Sequence, residues 1–206
     1  AGGWEGMKRL SDTMNELGYL FATHDQYRDY HYNAESFDEE MAVHDTKGDI
    51  TVHSYWYGGK QSFLCSSQAP AYVRRNYQTL EEHGINLQGT YQDVFTIVAL
   101  DECDHPWHRV SRKECAEYRK ACFDYVMAHG IAISSEEAID WAMQTLCFCH
   151  YAPSIPSIAP DFEKGIPVPL FNLVYHDCLL YPVYLDRGST SKSNPREGIN
   201  GLLEAL

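Results

Sequence analysis

Asp93 and Glu136 are the side chains best placed by the sequence to do chemistry. Asp93 closes the run Asn86–Asp93, and Glu136 follows the apolar run Gly130–Ser135 with a second acid, Glu137, behind it. Each run looks like a strand and follows a helical stretch closed by glycine. Helix, glycine, strand and then a polar residue at the strand's C-terminal end is how a (β/α) barrel delivers side chains to its active face. Two carboxylates at such ends suit glycosidic-bond cleavage, with one ionised to attack the anomeric carbon and one protonated to serve the leaving group. Burial behind an apolar run raises a carboxyl pKa, which suits the second role. The plain alternative is a hydrogen-bonded strand-end Asp93 and a Glu136 held by a helix dipole.

The elements that must position this pair follow from hydrophobic spacing. Trp4, Met7, Leu10, Met14 and Leu17 form a helical stripe ended by Gly18. Residues 19–23 read as a buried-type strand opening into His24–Tyr30. Residues 50–64 read as a β-hairpin turning at Gly58-Gly59, an excursion from the barrel loop. Pro70 starts a helix with Val73, Tyr77 and Leu80 inward and Gly84 as the stop. Ser111–Glu114 is a capping box. It opens a helix with Cys115, Tyr118, Cys122, Tyr125 and Val126 facing inward. Ile139, Met143 and Leu146 suggest a short helix, and Cys147–His150 a strand. The five prolines between 152 and 169 make a rigid loop. Residues 169–177 read as a strand ending in His176 and Asp177, and Asn194–Glu197 opens a last helix. The expected fold class is therefore α/β, a (β/α)8 TIM-barrel type. The strands read here fall short of eight, so residues 1–206 are expected to form a single partial barrel domain, truncated at both ends and exposing apolar edges. A smaller, complete α/β sheet is the alternative.

Composition narrows the partners. A formal net charge of −13 repels a phosphate backbone, so no nucleic acid is expected. No apolar run reaches the roughly 18–20 residues that span a bilayer, and no signal peptide is visible. The seven cysteines are scattered in a way unlike a disulfide framework; they read as small buried hydrophobes, which fits a reducing, cytoplasmic-type compartment. The 15 tyrosines and 4 tryptophans include rings that could stack on a pyranose while a Tyr hydroxyl still hydrogen-bonds. Trp107 and Tyr151 are the preferred stacking platforms.

His24-Asp25 and His176-Asp177 are His-Asp pairs at strand ends, able to grip a sugar diol. Adjacent residues point to opposite sides of a strand, so at most one of each pair faces a site. Arg28 and Asp29 suit an ion pair shaping the first loop, or substrate contact. Cys103, His105 and His108 resemble metal spacing but lack a second clustered pair and read as incidental. No metal and no cofactor is expected.

Five segments occur in order: His24–Tyr30, Tyr91–Phe95, His105–Arg109, Ser135-Glu136 with Asp140-Trp141, and Pro169–Asp177. They resemble an uncharacterised group of glycoside-hydrolase-like (β/α) barrel proteins, distantly similar to the endo-α-N-acetylgalactosaminidases of glycoside hydrolase family 101. The resemblance implies a retaining hydrolase of a glycan or glycoconjugate, with Asp93 as nucleophile and Glu136 as acid/base. It leaves His24, Asp25, Tyr27, Arg28, Tyr91, Trp107, Tyr151, His176 and Asp177 as expected sugar contacts. Two rivals stand beside it: a metal-dependent barrel hydrolase using His24, Asp25, His176 and Asp177, and a carbohydrate-binding barrel without turnover.

Overall fold

The computed structural model describes residues 2–151 and 170–180. Its centre is a sheet of four parallel strands: β1 (Ala22–Asp25), β5 (Gly89–Gln92), β6 (Ala132–Glu137) and β7 (Leu146–Tyr151), neighbours in that order. Strand order follows chain order, as repeated βα units require. The register sets Asp25 opposite Gln92, Tyr91 opposite Ser134 and Glu137 opposite Tyr151.

Three helices precede the first, second and third of these strands in turn. They are α1 (Gly3–Glu16), α2 (Ala69–Glu82) and α3 (Arg112–Ala128). The apolar stripe of α2 is buried through Val73, Tyr77 and Leu80, as its spacing dictates. At the start of α3, Ser111 and Glu114 form the expected reciprocal capping box. Its buried side carries Cys115, Arg119, Cys122, Phe123 and Val126, whereas Tyr118 is exposed. Helices α2 and α3 cover the sheet face that carries Thr90, Ile133 and Cys149; Tyr77, Phe123, Val126, Ile133 and Leu146 share one core.

The excursion between β1 and α2 is an antiparallel sheet of β2 (Asp29–His31), β3 (Val52–Trp56) and β4 (Gly59–Phe63), in the order β2-β4-β3. Because Trp56 pairs with Gly59, the hairpin turns on Tyr57-Gly58, one residue earlier than expected. Gly58 and Gly59 have φ of 99° and 117°, which only glycine holds without strain.

Four expectations need correction. The strand after α1 begins at Ala22, and Tyr19 and Leu20 are exposed, because the chain must cross from the helix layer to the sheet before pairing starts. Only one 3₁₀ turn, Asp140–Ala142, joins β6 to β7, with Leu146 already in the strand. Residues Leu170–Tyr175 are a helix, α4, not a strand. Phe171 packs against the core while Leu173 and Val174 stay exposed, so packing of one helix face prevailed over the β-branched and aromatic content. Cys147 falls at a register shift between β6 and β7, so it is exposed while Cys149 is buried. The proline-rich segment 152–169 and the helix expected at 194–197 lie outside the described residues.

Candidate active site

One face of the parallel sheet, opposite α2 and α3, gathers the chemistry. Alternation along β5 turns Thr90 and Gln92 into the core and leaves Tyr91 and Asp93 on the other side. Along β6, Ile133 and Ser135 are buried, so Ser134 and Glu136 share the face of Tyr91 and Asp93. His24 of β1 and His150 of β7 complete a row across the strands. The Tyr91 ring stacks on His150 at 4.3 Å between centroids and meets His24 edge-on at 4.8 Å.

Asp93 is one residue past β5, yet its amide still donates to Asp25 O at 2.8 Å, so the strand's geometry carries through to it. Its carboxylate Oδ2 lies 3.4 Å from His24 Nε2. The next residue, Val94, has φ of 58°, and Phe95 N donates to Asp93 O across it at 2.8 Å. A β-branched residue in the left-handed region is costly, about 1–3 kcal/mol, and such strain clusters at functional sites. The turn is held from behind by Arg119, which is buried. Its guanidinium donates to Phe95 O (2.9 Å), Val98 O (3.3 Å), Ala99 O (3.1 Å) and Asp101 Oδ2 (2.8 Å).

Glu136 is held above the usual carboxylate range, first by burial, then by the Asp93 carboxylate, then by Glu137. Glu137 is raised by burial alone. The Asp93 charge therefore reaches Glu136 and not Glu137, as the alternation of the strand requires. A relay of hydroxyls fixes the end of β6 against that of β5. Glu137 N donates to Thr96 Oγ1 (2.9 Å), Thr96 Oγ1 to Ser135 Oγ (2.9 Å), and Ser135 Oγ to Gln92 O. The pair thus meets the chemical demand of two unlike carboxyls, one raised by burial and then by the charge of the other.

The remaining candidates divide. His24 and Tyr91 lie on the site face. Asp25 does not: its Oδ2 accepts from Tyr77 OH (2.7 Å) and Thr90 Oγ1 (3.2 Å), on the helix-covered side. Tyr27 is buried against Phe95, with its hydroxyl 3.4 Å from Asp25. Arg28 is buried too; it clamps Asp101 at 2.8 and 2.9 Å and lies over the Phe63 ring. All three are structural groups. His176 and Asp177 follow the C-terminus of α4 and line a hollow with Met127, Thr145 and Leu146, at the strand-start end of the sheet. These neighbours set the pair beside the start of β7, away from the strand ends that carry Asp93 and Glu136. Hence His24, Asp25, His176 and Asp177 do not converge on a metal. Trp107 is exposed on the loop after β5. Tyr151 is the last residue of β7, opposite Glu137 in register. His150 was missed; the alternation of residues 147–150 ending in a strand-end histidine was its only signal.

The strand order and the parallel register define an α/β fold with acids at two neighbouring strand ends. No family model and no curated protein matches the chain. Among solved structures it is similar to the α-N-acetylgalactosaminidase NagBb from Bifidobacterium bifidum in complex with GalNAc, at 51% identity and a TM-score of 0.82, covering 94% of this chain and 32% of that one. The Gal-NHAc-DNJ complex of the same protein matches at 53% identity and a TM-score of 0.79, covering 87% of this chain and 29% of that one. TtGalA, an α-galactosidase from Thermus thermophilus in complex with stachyose, matches at 11% identity and a TM-score of 0.59, covering 97% of this chain and 46% of that one; it shares the fold alone. The chain thus spans about a third of the length of NagBb. These relatives are not family 101 endo-enzymes, so that finer expectation gives way to a glycoside-hydrolase-like fold.

Proposed function

We propose that this chain carries the catalytic face of a retaining glycoside hydrolase acting on α-linked N-acetylgalactosamine, within a (β/α)8 barrel. The observation that carries the reading is the placement of Asp93 and Glu136 at neighbouring strand ends on one sheet face, with Glu136 raised by burial and then by the Asp93 charge. The sugar rests on the likeness to NagBb.

In this mechanism the Asp93 carboxylate attacks the anomeric carbon while Glu136 gives its proton to the glycosidic oxygen. Glu136 then takes a proton from water, which releases the sugar from the Asp93 ester. Retention places the two carboxyls about 5–5.5 Å apart. His24 orients Asp93, and Tyr91 with His150 forms a ring platform beside it. Tyr55, Trp56 and Tyr57 are exposed on the β3-β4 hairpin, which follows the C-terminal end of β1, and with Trp107 they offer further stacking surface.

The test uses the full-length protein and an aryl α-N-acetylgalactosaminide. Asp93→Asn should lose turnover while keeping the fold. Glu136→Ala should retain activity best on substrates with good leaving groups and be rescued by azide, giving an azide adduct of one anomeric configuration. Full activity of Asp93→Asn, or azide rescue of Glu137→Ala instead of Glu136→Ala, would overturn the assignment.

A further inference from the structure

On the loops that follow β4 and β5, two thiols and an imidazole from two segments distant in sequence meet. Cys65 follows β4. Cys103 and His108 belong to a small loop closed by the paired Cys103 and Val110 backbones, 2.9 Å in both directions. The side-chain ligand atoms of Cys65, Cys103 and His108 all lie within 4.8 Å of one another. Both thiols are buried and His108 is half-buried. We propose that Cys65, Cys103 and His108 form a Cys2His site for a zinc-class divalent cation, with solvent as the fourth ligand.

Three features carry this. First, tetrahedral zinc with Zn–S about 2.3 Å and Zn–N about 2.0–2.1 Å sets S and N about 3.5 Å apart. Cys103 Sγ and His108 Nδ1 are 3.5 Å apart. Second, His108 Nε2 is 2.7 Å from Glu40 O. A carbonyl only accepts, so Nε2 carries the proton and Nδ1 turns its lone pair to the sulfurs. This is the outer-shell arrangement that prepares a histidine for a metal. Third, the neighbouring imidazoles are occupied. His105 Nδ1 accepts from Trp107 N (3.3 Å) and its Nε2 faces Glu40 Oε2 (3.3 Å), while His44 Nδ1 bonds Ala42 O (3.1 Å). The site therefore selects one histidine of three.

Binding replaces two thiol protons, released to solvent, by one divalent ion, so the buried charge does not change. The soft ligand set favours zinc over calcium or magnesium. The ion would staple the loop after β5, which presents Trp107, to the segment behind the β3-β4 hairpin.

The test is metal analysis of the full-length protein, purified under reducing conditions, with cobalt(II) as probe. One zinc per chain is expected, and a sulfur-to-cobalt charge-transfer band on cobalt loading. Cys65→Ala and Cys103→Ala should each remove the band and weaken zinc binding by more than about 100-fold, whereas His105→Ala should keep both. Should a cysteine variant fail to fold, alkylation of the native protein decides instead: zinc must protect Cys65 and Cys103, and a chelator must expose them. Absence of bound metal and of the cobalt band overturns the proposal. So does a Cys65–Cys103 disulfide found by mass spectrometry in the native protein.

Discussion

Replacing Arg119 tests whether the turn after Asp93 is built from behind. Arg119 is 1% exposed and gives four hydrogen bonds: three to carbonyls of residues 95–99 and one to Asp101. Arg119→Met leaves three carbonyls without this donor, at about 1 kcal/mol each, and removes one buried ion pair. Asp101 keeps its two contacts with Arg28, so no charge is left unpaired and the larger penalty of an orphaned ion is avoided. Burial of the methionine chain returns about 1 kcal/mol. The expected net loss is therefore about 3 kcal/mol, roughly a hundredfold in the unfolding equilibrium. Arg119→Lys keeps the charge but not the planar fork, and should lose about 2 kcal/mol. Urea unfolding measures both, and kcat should fall with stability because the same carbonyls set the path of the chain leaving Asp93. A loss for Arg119→Met below about 0.5 kcal/mol would refute the reasoning, since an ordinary surface change costs as much.

Three further outcomes follow from the geometry. Glu137→Gln removes a negative neighbour of Glu136, which makes the Glu136 proton easier to lose; the alkaline limb of kcat/KM should move to lower pH, and an unchanged or raised limb contradicts the coupling. Val94→Gly relieves a positive φ but adds chain entropy, so stability should stay within about 1 kcal/mol in a thermal scan while kcat falls. Tyr77→Phe removes the 2.7 Å hydrogen bond to Asp25 and should cost about 1–3 kcal/mol in urea unfolding with KM unchanged. A raised KM would return Asp25 to the substrate site.

Much of the scaffold was legible because its signals are local. The stripe of Val73, Tyr77 and Leu80, the Ser111–Glu114 box and the glycine stops depend on neighbours within a turn or two, and the structure shows each. The strand-end positions of Asp93 and Glu136, and the reason Glu137 points elsewhere, came from period-two alternation, which a parallel register preserves. Other features depend on contacts across long separations. Residues 169–177 carry both strand-like content and helical spacing, and only packing decided between them. Asp25 and Arg28 sit in a motif-like segment, yet Tyr77 and Asp101, 52 and 73 residues away, claim them for the core. Cys65 joins Cys103 and His108 only because a hairpin brings its segment back. Sequence by itself determined which residue types stand at the strand ends. The tertiary structure decided which of them share a face, because a side chain's partners depend on where the whole chain returns.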